Sequence, residues 1–206
     1  MCDRLGQIDS DLQTIIATYG YPPFWSRPNS FETLVHIILE QQVSLASALA
    51  TLEKLRQKVG TITPQNVMRL SDEELRVATF SRQKTAYVRH LSEQLINRHI
   101  DLARLERLSN DEIRSTLIKL KGIGNWTIDI YLIMVLHRSD IFPFGDLAAV
   151  NALRTIKGFD TSTPIETLEK SILPWEPYRS IGTMLLWHYY LSVRQKPEVD
   201  PPVEAI

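Results

Sequence analysis

The chain has 206 residues, 44% of them hydrophobic, with 23 Lys+Arg against 24 Asp+Glu and a formal net charge of −1. That length holds one domain or two small lobes, and that apolar fraction fills a core, which excludes a disordered chain. A single cysteine, Cys2, excludes an internal disulfide, a four-cysteine zinc site and a cysteine-ligated iron–sulfur cluster within one chain.

Helix signals dominate, and no alternating run is long enough to build a sheet. Ser30 caps a predicted helix whose apolar face is Phe31, Leu34, Val35 and Ile38. The pattern breaks at Gln41-Gln42-Val43-Ser44, resumes at Leu45 and ends at Gly60. Thr63-Pro64 has the cap-then-proline order of a helix start. Ser71 with Glu74, Ser109 with Glu112 and Thr163 with Glu166 have capping-box spacing. Tyr87, Val88, Leu91 and Leu95 mark another amphipathic helix. Residues 126–136 are apolar almost all round, which places that helix centrally. Asp146 opens a helix through Leu147, Val150 and Leu153, and Tyr178, Ile181, Leu185 and Tyr189 define the last one. The expectation is an all-α chain. Residues 1–195 form one catalytic region of two helical lobes sharing a cleft, and the Pro-rich residues 196–206 form a loose tail.

The segment Leu120-Lys121-Gly122-Ile123-Gly124-Asn125-Trp126-Thr127 carries the most chemistry. Two glycines one residue apart, between two helices, make a tight hairpin that a second backbone can approach closely. Its amides and the next helix N-terminus can converge on one phosphate, without reading any base. The same spacing also suits a plain helix–turn–helix connection that binds nothing. The loop Phe142-Pro143-Phe144-Gly145 ends in Asp146. An aspartate there caps the following helix. Helix amides that fix its direction would also hold it ionised, able to stabilise a sugar cation and orient or deprotonate water.

Together these segments resemble the helix-hairpin-helix–Gly/Pro–Asp (HhH-GPD) superfamily of DNA glycosylases. LKGIGNWT matches its hairpin and FPFGD its aspartate loop. FETLVHIILEQQVS (residues 31–44) looks like its helix and Gln-Gln turn, and WEPYRSIGTMLLWHYY (residues 175–190) like its last helix. Within the superfamily the chain is most similar to the 3-methyladenine DNA glycosylase II branch. The resemblance implies a compact helical fold with no N-terminal sheet domain. It implies a monofunctional hydrolase of base excision repair that flips out alkylated purines, such as 3-methyladenine or 7-methylguanine, and leaves an abasic site in double-stranded DNA. Asp146 would be the catalytic residue. Trp126, Trp187 and Tyr131 would line the base pocket, with Tyr190 a further aromatic candidate. Leu120, Lys121, Gly122, Ile123, Gly124, Asn125 and Thr127 would contact DNA, as would Gln41, Gln42 and Ser44. Gln42 would fill the vacated space, and Gln41 would support its turn. Trp126 stands where lyase relatives carry a nucleophilic lysine, and tryptophan cannot form a Schiff base.

The resemblance implies no required cofactor and no iron–sulfur cluster, with Leu120 and Ile123 carbonyls as candidate ligands of a structural Na+ or K+. A monomer suffices. Two positions depart from the best-known relative: Ile130 and Leu147 stand where it has aromatic residues. Phe24 and Trp25 are candidates to close the pocket. Arg82, Lys84 and Arg89 suit phosphates or, more commonly, a solvated helix face. Lys119 and Lys121, which flank the hairpin, have the better claim on phosphate, and the five histidines show no metal-ligand spacing. No apolar run approaches the ~20 residues that span a bilayer, and MCDRLGQIDSDLQ lacks a signal-peptide core. The expectation is a soluble intracellular protein with no membrane partner, beside the nucleoid in a bacterium and nuclear or organellar in a eukaryote. Two rival readings remain: a noncatalytic DNA-binding protein using the same hairpin, and a glycosylase for oxidised or deaminated bases.

Overall fold

The computed structural model describes residues 1–195; the tail expected to be loose, 196–206, lies outside the described residues. Among the described residues every regular element is helical, in agreement with the sequence. In chain order these are α1 (Cys2–Ile8), α2 (Ser10–Tyr19), α3 (Phe31–Glu40), α4 (Leu45–Val59), α5 (Pro64–Met68), α6 (Asp72–Val77) and α7 (Arg82–Ile96). There follow α8 (Leu102–Leu105), α9 (Asn110–Leu117), α10 (Asn125–Met134), α11 (Leu147–Lys157), α12 (Ile165–Ser171), a 3-10 turn (Leu173–Trp175) and α13 (Arg179–Gln195). The described chain divides into two compact units. The first joins residues 1–25 to those from 139 onward, and the second is the continuous segment 26–138.

The helix boundaries follow from local capping. The side chains of Ser30, Ser44, Thr63, Ser81 and Asp146 each accept a first-turn amide. Ser71 with Glu74 and Ser109 with Glu112 form complete capping boxes. The box expected at Thr163 and Glu166 does not form, because α12 is preceded by Pro164 with no side-chain cap. The Thr163 hydroxyl is instead turned to Asp160 Oδ1 at 3.4 Å. Two N-terminal helices, α1 and α2, were not among the predicted elements.

In the first unit α11 packs on α13, and α13 on α1 and α2. Asp9 ties these elements together. Its Oδ1 accepts the amides of Asp11 and Leu12, capping α2. Its Oδ2 accepts Lys157 Nζ at 2.6 Å and the Trp175 indole N–H at 2.7 Å. Trp175 is fully buried, so its donor needs such a partner. Burial alone would push the Asp9 carboxyl up. The hydrogen bonds from Lys157 and Trp175 outweigh it and hold the carboxyl below its ordinary range.

In the second unit α3 packs against α4, α7 and α10. Residues 127–133 of α10 are buried, as an all-round apolar sequence requires. Ion pairs to two buried carboxylates brace this unit. Arg27 clamps buried Glu40 at the end of α3, with N–O distances of 2.6 and 3.0 Å. Arg114 of α9 pairs with buried Asp129 of α10. Burial pushes the Asp129 carboxyl up, against the opposing pull of Arg114.

Asp9→Ala removes a helix cap and leaves Lys157 and the Trp175 indole short of an acceptor. The expected cost at neutral pH is about 3 kcal/mol, read from urea unfolding. Because Asp9 titrates lower in the folded chain than its ordinary 3.8, its contribution is complete above that pH. The gap between native protein and variant therefore closes as pH falls through the lower folded value.

Candidate nucleic-acid interface and active site

The hairpin of the second unit is built on a close approach. The Ile123 amide donates to the Leu120 carbonyl at 3.1 Å, which closes the turn. Gly122 takes φ +84°, and a Cβ there would lie 2.1 Å from the Tyr87 ring. Only glycine satisfies both demands. Gly124 differs. Its φ is −107°, which any residue adopts, and a Cβ there would meet nothing within 4 Å. Nothing in the fold requires glycine at that position. Gly124 is also the N-cap of α10 and has no side chain to occupy the first-turn amides. Lys121, Gly124 and Asn125 are exposed, while Leu120, Ile123 and Thr127 are buried. The last three can therefore offer a ligand only backbone groups.

The Gln-Gln turn is latched to this hairpin. Gln41 Nε2 donates to the Gly122 carbonyl at 2.8 Å and to the Thr127 hydroxyl at 3.0 Å. Gln41 is thus a strut between α3 and the hairpin. Gln42 follows in a left-handed conformation, φ +59°, with its side chain exposed. Ser44 is engaged as the N-cap of α4, accepting the Ser47 amide at 3.2 Å. Lys84 Nζ donates to the Leu39 carbonyl at 2.7 Å, completing the end of α3. Burial holds the Lys84 ammonium below the usual lysine range. Arg89 binds Asp72 and the Leu70 carbonyl. These two cations are engaged within the fold, whereas Arg82, Lys119 and Lys121 are exposed.

Trp126, in the first turn of α10, is half-buried. Tyr131 is fully buried, and its hydroxyl donates to Asn29 Oδ1 at 2.8 Å. Burial pushes the phenol up. A ring with no exposed face and a satisfied hydroxyl is core, so Tyr131 is not a base-pocket residue. Ile130, where a relative has an aromatic ring, is also core.

In the first unit Asp146 sits at the N-terminus of α11. Its amide donates to the Pro143 carbonyl at 2.8 Å, closing the loop. Its Oδ1 accepts the Ala149 amide at 2.9 Å and the Trp187 indole N–H at 3.0 Å. Trp187, on α13, is met edge-on by Trp25, with ring centroids 6.1 Å apart and planes 82° apart. Leu147, the next residue, is 77% exposed. The start of the loop is anchored by residues the sequence reading quoted but gave no role. Arg179 grips Asp140 through two 2.7 Å bonds. The Ser180 hydroxyl accepts the Ile141 amide at 3.0 Å. Phe142 lies between Phe144 and Trp175, at centroid distances of 4.7 and 6.4 Å. The adjacent Arg-Ser pair beside aromatic residues was the available signal. Among the described residues no group of three or more His, Cys, Asp or Glu side chains could hold a metal.

Residues 35–177 match the model of the HhH-GPD superfamily base excision DNA repair protein family. The chain is 27% identical over 191 residues to the alkylbase DNA glycosidase-like protein mag2 of Schizosaccharomyces pombe, covering 89% of this chain and 90% of that one. It is similar to the solved DNA-3-methyladenine glycosidase of Bacillus halodurans, at 29% identity and TM-score 0.76, covering 93% and 89% of the two chains. It is similar also to the S. pombe 3-methyladenine DNA glycosylase Mag1 in complex with abasic DNA, at 26% identity and TM-score 0.83, covering 90% and 94%. With more than half of its length matched by the family model, the chain belongs to the HhH-GPD superfamily of base excision DNA repair proteins.

Proposed function

We propose that the protein is a monofunctional DNA glycosylase that releases alkylated purines from double-stranded DNA. The observation that carries the reading is the Asp146 carboxylate, held by the Ala149 amide and the Trp187 indole at the start of α11. The names of the relatives, which are alkylbase and 3-methyladenine glycosylases, support it.

A base inside a duplex cannot reach such a group, so the nucleotide is rotated out of the stack. The exposed, left-handed Gln42 enters the gap, and Gln41 keeps that turn on the hairpin. The amides of Gly124 and Asn125, at the positive end of α10, bind one phosphate, with Lys121 beside them. Such contacts fix register without reading sequence. Trp126, half-buried in the first turn of α10, offers a ring face to the lesion. An alkylated purine carries positive charge, is drawn to an electron-rich face, and leaves readily once its bond to the sugar stretches. Asp146 then stabilises the developing sugar cation and orients the water that attacks it. The C1′–N bond breaks with its electron pair going to the alkylated base, which leaves neutral. As the C1′–OH forms, the water's proton passes to the Asp146 carboxylate and on to solvent. Trp126 supplies no amine, so the sugar is not captured as a Schiff base and the backbone stays intact.

The hairpin also suits a monovalent cation in its chemistry: the Leu120 and Ile123 carbonyls are neutral oxygen donors. The Leu120 oxygen already accepts the Ile123 amide and would give its second lone pair. Such an ion would add positive charge near the phosphate. The reaction itself requires no cofactor, and one copy of the chain carries every group named.

Native protein incubated with methylated DNA should release methylpurines, identified by chromatography. The DNA should carry alkali-labile sites without direct cuts, and borohydride should trap no protein–DNA adduct. A trapped adduct would replace this reading with a lyase, and absence of release would leave a binding protein. Gly124→Ala probes the interface separately. Its Cβ meets open space, so stability should change by no more than about 1 kcal/mol, the scale of an N-cap change. DNA affinity should fall, because the phosphate is kept from the amides, and a mobility-shift titration would detect the loss.

A further inference from the structure

We infer that Trp187 is a positioning residue for Asp146, acting through its indole N–H rather than serving only as a wall of the base pocket. The inference rests on the glycosylase reading above. The torsion that sets a carboxylate's plane is broad, so a helix amide alone leaves it free to swing. Here a second donor, from α13, meets the same oxygen: Ala149 N–H at 2.9 Å and Trp187 Nε1–H at 3.0 Å both reach Oδ1. Two donors from two different helices fix both the plane of the carboxylate and which of its oxygens is engaged. An indole N–H only donates, so it pairs with an oxygen that accepts. The ring is itself held: Trp25 packs edge-on against it, and Trp187 is only 8% exposed. A ring so covered has little face to give a base, while its one polar atom is directed at the carboxylate. Small errors in the placement of a charged group against a developing charge cost large factors in rate.

The test is single-turnover release of methylpurines from methylated DNA by Trp187→Phe, which keeps an aromatic ring and loses the N–H. A second variant carries benzothienylalanine at 187, keeping the shape of the indole with sulfur in place of N–H. Both should lose roughly 10–100-fold in maximal rate, the scale of one hydrogen bond to a charged group. Half-saturation by lesion DNA should be unchanged. A native rate in the benzothienyl variant, or a loss confined to half-saturation, overturns the inference. A readout independent of activity is the Trp187 indole proton resonance, assigned by its disappearance in Trp187→Phe. It should move upfield in Asp146→Ala, and a resonance that stays in place overturns the inference. Native protein that releases no base instead overturns the glycosylase reading, and the resonance still decides whether Trp187 holds the carboxylate.

Discussion

Asp146 Oδ1 accepts the Ala149 amide at 2.9 Å and the Trp187 indole at 3.0 Å, and much of the first unit serves to bring those atoms together. A carboxylate at a helix N-terminus is common, because it satisfies an amide that the helix leaves open. Here the same contact gives the carboxylate a fixed direction. The loop before it is anchored by Arg179 on Asp140 and by the Ser180 hydroxyl on the Ile141 amide. Phe142 rests on Trp175, whose indole is bonded to Asp9. Asp9 in turn caps α2 and binds Lys157, at the end of the helix that Asp146 begins. A connected set of polar bonds, ring contacts and helix α11 thus runs from the N-terminal helices to Asp146.

The second unit solves a different problem with the same economy of parts. A hairpin that offers amides to a phosphate needs an open outer side and a rigid inner one. Tyr87 fills the space under Gly122, and Gln41 binds the Gly122 carbonyl. Gly124 faces outward, with open space where a side chain would stand. The two glycines of one short motif therefore have opposite physical reasons. Gly122 is required by the fold, and Gly124 leaves open the space that the proposed phosphate contact needs. The Gln41 strut also joins the hairpin to the turn that presents Gln42, so the proposed backbone contact and the proposed insertion share one support.

Capping made most helices legible, because it is local: a serine, threonine or aspartate acts on amides two or three residues away. The failure at Thr163 was local too, since α12 begins one residue later, behind Pro164, and no side chain caps it. Helices α1 and α2 were not predicted although Asp9 precedes α2 as a cap: α1 is seven residues long with no side-chain cap, and α2 only ten. The motif positions of Asp146, Gly122 and Gln41 could be read from order and residue type. Their partners could not. The contacts of Asp9 with Trp175 and of Gln41 with Gly122 join residues far apart in the chain, and no periodicity encodes them. Burial was equally hidden. Tyr131 and Trp187 are both aromatic residues on apolar helices, yet the first is closed in the core with Asn29 and the second points its one donor at the carboxylate. Lys84 and Arg89, read as phosphate candidates or, more commonly, a solvated helix face, instead complete the ends of neighbouring elements.

The central claim is that one fixed carboxylate performs the chemistry and that the DNA-holding parts work without it. Asp146→Asn tests it most directly, because the amide keeps the size of the side chain and an oxygen that can accept from Ala149 and Trp187. Measured under single-turnover conditions on methylated DNA, the variant should lose at least ~100-fold in the rate of purine release, the scale of removing one charge-stabilising group. Its affinity for the same DNA should match that of the native protein. Release by Asp146→Asn at the native rate would contradict the account.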